Sequence, residues 1–157
     1  MVVDEEACQV ELLDTAGQDE FVALRDQWIR DGHGFLLIYS ATSRATLDQI
    51  EKLHESICRV KESNRNAVLV IGNKADRTAE IEVRKELGAS VAKKIDAEFL
   101  ETSAKTGLNI EKAFVEVIRL VRALEAEKES GPGLGRTSTG KSTKQQSKKK
   151  KAKCLIQ

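Results

Sequence analysis

An α/β fold, with a doubly wound and mostly parallel sheet covered by helices on both faces, is what this sequence predicts. Gly34-Phe35-Leu36-Leu37-Ile38-Tyr39 and Ala67-Val68-Leu69-Val70-Ile71 are unbroken apolar runs bounded by turn residues, the pattern of strands buried on both faces. Segments of helical apolar spacing separate and follow them. Strands alternating with helices are joined by crossovers and lie parallel.

Along the chain, Cys8-Gln9-Val10-Glu11-Leu12 alternates apolar and polar side chains and reads as a half-exposed strand. After the first buried run, Leu47, Ile50, Leu53, Ile57 and Val60 share one helical face. After the second come Val83, Leu87, Val91 and Ile95, again at helical spacing. A short strand, Glu98-Phe99-Leu100, precedes a helix striped by Ile110, Ala113, Phe114, Val117, Ile118, Val121 and Leu124, with Asn109 where a cap is expected. Past Lys128 the periodicity stops and Gly, Ser, Thr, Lys and Gln take over, as in a flexible tether. The expected organisation is one domain over residues 1–128 and a flexible polybasic tail over 129–157.

The formal net charge of +1 hides two opposite segments. Residues 131–157 hold eight basic side chains and no acids, which leaves 18 basic against 25 acidic groups, a net of −7, in the rest. An acidic body with a basic arm suits a membrane or a nucleic acid as partner. Trp28 alone, and an aromatic content of 4%, speak against a nucleic-acid stacking platform.

The last four residues decide for the membrane. Cys154-Leu155-Ile156-Gln157 is a cysteine, two aliphatic residues and a terminal Gln, behind Lys148-Lys149-Lys150-Lys151-Ala152-Lys153. That arrangement reads as a prenylation site at Cys154, with Gln157 favouring farnesyl. One prenyl chain binds a bilayer marginally, and a polybasic stretch against anionic lipid supplies the second signal. No stretch approaches the ~20 apolar residues of a membrane span, so anchoring without crossing is expected. Cys8, Cys58 and Cys154 lack metal-ligand spacing, and no apolar leader opens the sequence; a reducing cytoplasm and no disulfide are expected. His33 and His54 stand alone and read as surface or packing residues, and Cys58 as a small apolar group in a helix.

Three loops that follow strands carry the chemistry. Asp14-Thr15-Ala16-Gly17-Gln18 offers a carboxylate able to hold Mg²⁺ through water and a glycine whose amide can approach a terminal phosphate. Asn73-Lys74-Ala75-Asp76 offers an amide, an alkyl stem to lie along a purine, and a carboxylate that can accept two hydrogen bonds from a guanine edge. Thr102-Ser103-Ala104-Lys105 is the third. Each is weak alone; in this order, each behind a strand, they are strong together.

With these motifs the sequence from about Val2 to Leu124 resembles the Ras family of small GTPases. The stretch Asp14 to Phe21 is similar to the family's second switch, Asn73 to Asp76 to its guanine-specificity loop, and Glu101 to Lys105 to the loop buttressing the base. The resemblance implies GTP or GDP as ligand, with Mg²⁺ held through water by Asp14, the γ-phosphate sensed at Gly17 beside Thr15 and Ala16, and the attacking water oriented by Gln18 as the catalytic residue. It implies that Asp76 selects guanine, Lys74 lies on the base, Asn73 ties the loops together, and the Ala104 amide, flanked by Ser103 and Lys105, meets the guanine carbonyl. Arg25 to Arg30 then resembles the helix read by exchange factors and effectors, with GTPase-activating proteins as further partners. Hydrolysis of GTP to GDP, signalling, no nucleic-acid partner, and the cytoplasmic face of the plasma membrane complete the expectation.

One departure is large. The family's glycine-rich phosphate loop, G-x-x-x-x-G-K-[ST], belongs upstream of Asp14, where this sequence has 13 residues. The missing strand, loop, helix and first switch amount to roughly 35–50 residues at ordinary element lengths. Met1-Val2-Val3-Asp4 resembles the interior of the family's second strand. The expected fold is therefore of the P-loop GTPase type lacking its first strand and helix. That strand's place is between the strand ending at Asp14 and the strand Phe35 to Tyr39, so two unpaired sheet edges are expected. A truncated product with impaired GTP binding, a membrane-tethered interaction module deficient in nucleotide binding, and a misplaced start are the three readings left open. Gly135-Arg136-Thr137-Ser138-Thr139-Gly140-Lys141-Ser142 matches the phosphate-loop string, but no strand precedes it and no apolar helix follows, so it reads as a basic spacer.

Overall fold

The computed structural model describes residues 1–14, 22–130 and 151–156. Among these residues seven strands and five α-helices follow in the order β1 (Val2–Val3), β2 (Glu6–Ala7), β3 (Gln9–Asp14), α1 (Val22–Asp31), β4 (Gly34–Ser40), α2 (Arg44–Leu47), α3 (Ile50–Lys61), β5 (Ala67–Asn73), α4 (Lys85–Lys94), β6 (Glu98–Glu101), α5 (Ile110–Ser130) and β7 (Lys151–Ile156), with a 3₁₀ turn at Thr78–Glu80 before α4. The main sheet has the order β3-β7-β4-β5-β6, with every pairing parallel. The α/β class and the parallel sheet are as the sequence predicts.

The two apolar runs form its interior. In β4 and β5, paired from Gly34↔Ala67 to Ser40↔Asn73, almost every residue is buried, because α5 covers one face and the α1–α3 layer with α4 the other. One core layer gathers Ile29, Phe35, Leu37, Leu47, Ile50, Ile57, Val68 and Val70; the other joins Val3, Leu36, Leu69 and Ile71 to Ala113, Val117 and Ile118 of α5. Alternate residues of a strand face opposite sides, so a strand buried on both needs the continuous apolar run that the sequence has.

β1 and β2 form an antiparallel hairpin in the register Val2↔Ala7 and Val3↔Glu6. Its turn residues Asp4 and Glu5 both have positive φ, 52° and 66°, as a two-residue hairpin turn of the primed kind requires. The hairpin is docked on α5: Arg119 pairs with Asp4 at 2.6 Å, and Arg122 Nη1 donates to the Val3 carbonyl at 2.9 Å. Helix α1 is held by α3 in the same way, through Arg59–Asp26 at 3.1 Å and a 2.7 Å bond from Lys61 Nζ to the Arg30 carbonyl. Lys61 also stands 5.8 Å from the Phe35 ring centroid, and burial lowers its pKa.

The place between β3 and β4 is occupied. Lys151–Ile156, within the segment whose composition reads as tail, forms a parallel strand there, opposing all of Gln9–Asp14 on one side and Gly34–Leu36 on the other. The two unpaired edges expected at that place are therefore paired in this structure. Cys8 and Cys58 are free thiols, and among the described residues no helix is long and apolar enough to cross a membrane.

Candidate functional site

All five strands of the main sheet run the same way, so their carboxyl ends form one rim, the side on which open α/β sheets bind ligands. Asp14 ends β3, Ser40 ends β4, Asn73 ends β5 and Thr102 follows β6. The predicted base-binding loops therefore come from neighbouring strands, and hydrogen bonds lock them together. Asn73 Oδ1 accepts from the Ala104 amide at 3.2 Å and from the Thr102 hydroxyl at 3.3 Å. Backbone bonds run beside it, from the Ala75 amide to the Thr102 carbonyl at 3.1 Å and from the Thr102 amide to the Gly72 carbonyl at 2.9 Å. Asn73 thus links the two loops through its side-chain oxygen.

Asp76 is oriented from the other loop. Ser103, fully buried, donates its hydroxyl to Asp76 Oδ1 at 2.5 Å and accepts the Thr106 amide at 3.1 Å. That hydroxyl is the main reason the Asp76 carboxyl titrates below its ordinary range, with Lys105 and Arg77 adding smaller attractions. The carboxylate is charged at neutral pH and held by one oxygen. Lys74 is exposed and has a positive φ of 66°, a local backbone strain where the chain leaves β5. Ala104 and Lys105 lie exposed at the rim beside these groups. Asn109 has φ 56° and its amide donates to the Glu101 carbonyl at 2.8 Å, which fixes the start of α5 to the end of β6.

Asn73, Lys74, Asp76, Ser103, Ala104 and Lys105 are thus brought together, and Asp14 ends β3 on the same rim. Thr15, Ala16, Gly17 and Gln18 lie outside the described residues, and Cys154 lies in β7. A single strand-end carboxylate suits Mg²⁺, which keeps several waters and is bound by one or two carboxylates together with substrate phosphates. Among the described residues no group of three or more His, Cys, Asp or Glu side chains could hold a metal without such help.

Sequence reasoning missed the parts that brace the rim from behind. The loop after β4 is hooked onto it: the Ala41 amide donates to the Asn73 carbonyl at 2.8 Å, while the Ala41 carbonyl accepts the Glu82 and Val83 amides, each at 3.0 Å. Ser40 and Thr42 share a 2.9 Å hydroxyl contact. Tyr39, 2% exposed, packs its ring against Gly72 and Gly88, and burial, with the Glu101 charge second, pushes its pKa up to about 12. A helical glycine opposite an aromatic strand residue was the available signal. His54 and Cys58 pack as a pair in α3, Sγ 3.5 Å from Nε2, and burial lowers the histidine and raises the thiol. Small hollows, such as one of about 350 Å³ lined by Asn66, Val68, Lys93 and Phe99, lie at the opposite, amino-terminal ends of the strands.

A protein-family model described as the Ras family matches residues 1–123. The chain is similar to Ras-like protein 1 of Pyricularia oryzae, 43% identical over 89% of this chain and 66% of that protein. It is 41% identical to protein ras-2 of Neurospora crassa, over 99% of this chain and 79% of that one. With Ras-like protein B of Aspergillus fumigatus it shares 40% identity over 89% of this chain and 68% of the relative. The chain belongs to the Ras family. It is thus a small GTPase by family, and it spans about two thirds of the length of two of these three relatives. Ras-family proteins generally bind GTP or GDP with Mg²⁺.

Proposed function

We propose that this chain recognises the guanine base of GTP and GDP and works as a membrane-anchored switch of the Ras type. The observation that carries the base assignment is the interlocked pair of loops: Asn73 bound to Ala104 and Thr102, and Asp76 bound to Ser103. Guanine presents two adjacent donors, N1–H and the N2 amine, and an ionised carboxylate accepts both. Adenine presents an acceptor at N1 and no amine at C2, which leaves Asp76 facing a lone pair. On binding, the Ala104 amide would pass from Asn73 Oδ1 to the guanine O6, and Lys74 suits the base plane. Because Ser103 and Asn73 hold these groups before any ligand arrives, little ordering is spent on binding.

Hydrolysis of GTP with Gln18 orienting water, Mg²⁺ held through water at Asp14, and exchange factors, GTPase-activating proteins and effectors at α1 belong to the same proposal and are supported by the family resemblance. Attachment to the cytoplasmic face of the plasma membrane is supported by Cys154 and the lysines at 148–151 and 153. The test is calorimetric titration of the full chain with GDP and with ADP. Discrimination of roughly a hundredfold or more in favour of GDP is expected from the loss of two hydrogen bonds at a charged acceptor. Equal affinity for the two nucleotides refutes the base assignment.

A further inference from the structure

We propose that the C-terminal strand is a switch: the residues that would carry the lipid are the ones that complete the sheet, so insertion and lipid attachment exclude each other. The pairing is uneven along β7. Lys151, Ala152 and Lys153 oppose only β3, through Gln9, Val10 and Glu11. Cys154, Leu155 and Ile156 are paired on both sides, with Leu12, Leu13 and Asp14 of β3 and with Gly34, Phe35 and Leu36 of β4. The doubly paired half holds the first three residues of the four-residue lipid-attachment box. Helices α1 and α5 also lie against β7, so the segment is held in the middle of the sheet and not laid along an edge.

This inference rests on the reading of Cys154 as a lipidation site. In that reaction the Cys154 sulfur bonds to the terminal carbon of an allylic isoprenoid diphosphate. The carbon–oxygen bond to the diphosphate breaks, diphosphate leaves with the bonding pair, and the thiol proton passes to solvent. A transferase reads the end of the chain as a free extended peptide, whereas here both ladders flanking Cys154 must first break. Breaking them leaves β3 and β4 with unpaired edges, which favours return of a strand to the slot. The chain has the slack to move between the two sites. Twenty residues separate Ser130, the end of α5, from Lys151, a reach of roughly 65–70 Å when extended. Release of β7 therefore leaves the helix and the base-binding loops in place. Whatever else fills the slot between β3 and β4, another strand of this protein or of a partner, frees Cys154 for modification.

The test compares the full chain with Ala152→Pro. Ala152 opposes Val10 of β3, and a proline there takes a backbone N–H out of β7 and fixes φ near −65°, away from the roughly −120° of a parallel strand, while leaving Cys154 to Gln157 and every basic residue intact. Iodoacetamide labelling at Cys154, resolved from Cys8 and Cys58 by peptide mass spectrometry, is expected to be at least roughly tenfold faster in the variant, equivalent to about 1.4 kcal/mol of opening. Farnesyl transfer from farnesyl diphosphate by a protein farnesyltransferase should rise by the same ratio, toward the rate of a free peptide of residues 148–157. Amide hydrogen exchange on the unaltered chain should show residues 151–156 protected, a readout that decides even if the variant misfolds. Equal labelling of the two chains, or exchange of those amides at unstructured rates, overturns the proposal. A reference peptide that the transferase leaves unmodified overturns the lipid assignment, and the switch with it, whatever the labelling ratio.

Discussion

Replacing Gly88 by Ala sets two effects of known size against each other. Gly88 lies inside α4, where alanine is favoured by about 1 kcal/mol on helix propensity. A Cβ there, however, would overlap the Tyr39 hydroxyl and lie 2.9 Å from Phe99 Cε2 and 3.0 Å from Tyr39 Cζ. Tyr39 has little space to retreat into, since it is 2% exposed and its hydroxyl already lies against Gly72, where a Cβ would stand 2.7 Å from it. Overpacking of this kind costs about 1–3 kcal/mol, and with two rings hit the upper half of that range applies. The net expectation is destabilisation by about 1–2 kcal/mol, or about 2–8 °C in Tm for a domain of this size. Displacing Tyr39 also pushes on Gly72 and so on Asn73, which should weaken GDP binding. Thermal unfolding followed by circular dichroism measures the first effect and calorimetry the second. In a Tyr39→Phe background the same substitution should cost less, because the overlapping hydroxyl is gone. A Tm that rises in Gly88→Ala, by the propensity gain alone, refutes the packing argument.

Tyr39 is the chain's sole tyrosine, so absorbance titration near 295 nm reports it alone, with an expected midpoint near pH 12 in the folded chain against 10 in urea. Because the folded state raises this pKa, stability is intact below about pH 10 and declines as the pH climbs toward 12, by at most about 3 kcal/mol; a native midpoint near 10 contradicts it. Replacing Lys148, Lys149, Lys150 and Lys151 by Gln in the lipidated protein should weaken binding to anionic vesicles by roughly 4 kcal/mol at ~1 kcal/mol per charge, a difference that shrinks at high salt. Vesicle sedimentation across a salt series measures it, and a salt-independent loss refutes the electrostatic origin.

What the sequence made legible was what is local or periodic. Gly34–Tyr39 and Ala67–Ile71 announce buried strands because burial on both faces demands an unbroken apolar run. The loops could be placed side by side because Asn73 and Asp76 come at the end of one of these runs, Ser103 and Ala104 follow the shorter strand Glu98–Glu101, and the parallel topology brings strand ends together. The hairpin turn at Asp4-Glu5 was not legible, since its residues lack the Gly or Asn that normally marks positive φ. Nor was the packing of Tyr39 against Gly88, a contact between residues far apart in sequence. The strand at Lys151–Ile156 escaped for a related reason. Six residues behind a Gly, Ser and Lys tract carry little signal of their own, and their partners, Gln9–Asp14 and Gly34–Leu36, lie more than a hundred residues away. Compositional reading registers the tract, and only the vacancy between two parallel strands explains the pairing.

The central claim is that Asp76, aimed by Ser103, selects guanine. Asp76→Asn in the full chain tests it directly, because an amide presents one acceptor and one donor where the carboxylate presents two acceptors. Xanthine, with a carbonyl in place of the guanine amine, is the matching base. Competition between guanosine and xanthosine diphosphates should show the unaltered chain preferring the guanine nucleotide and the variant preferring the xanthine one. A variant that keeps the preference for guanosine diphosphate would show that Asp76 does not read the base.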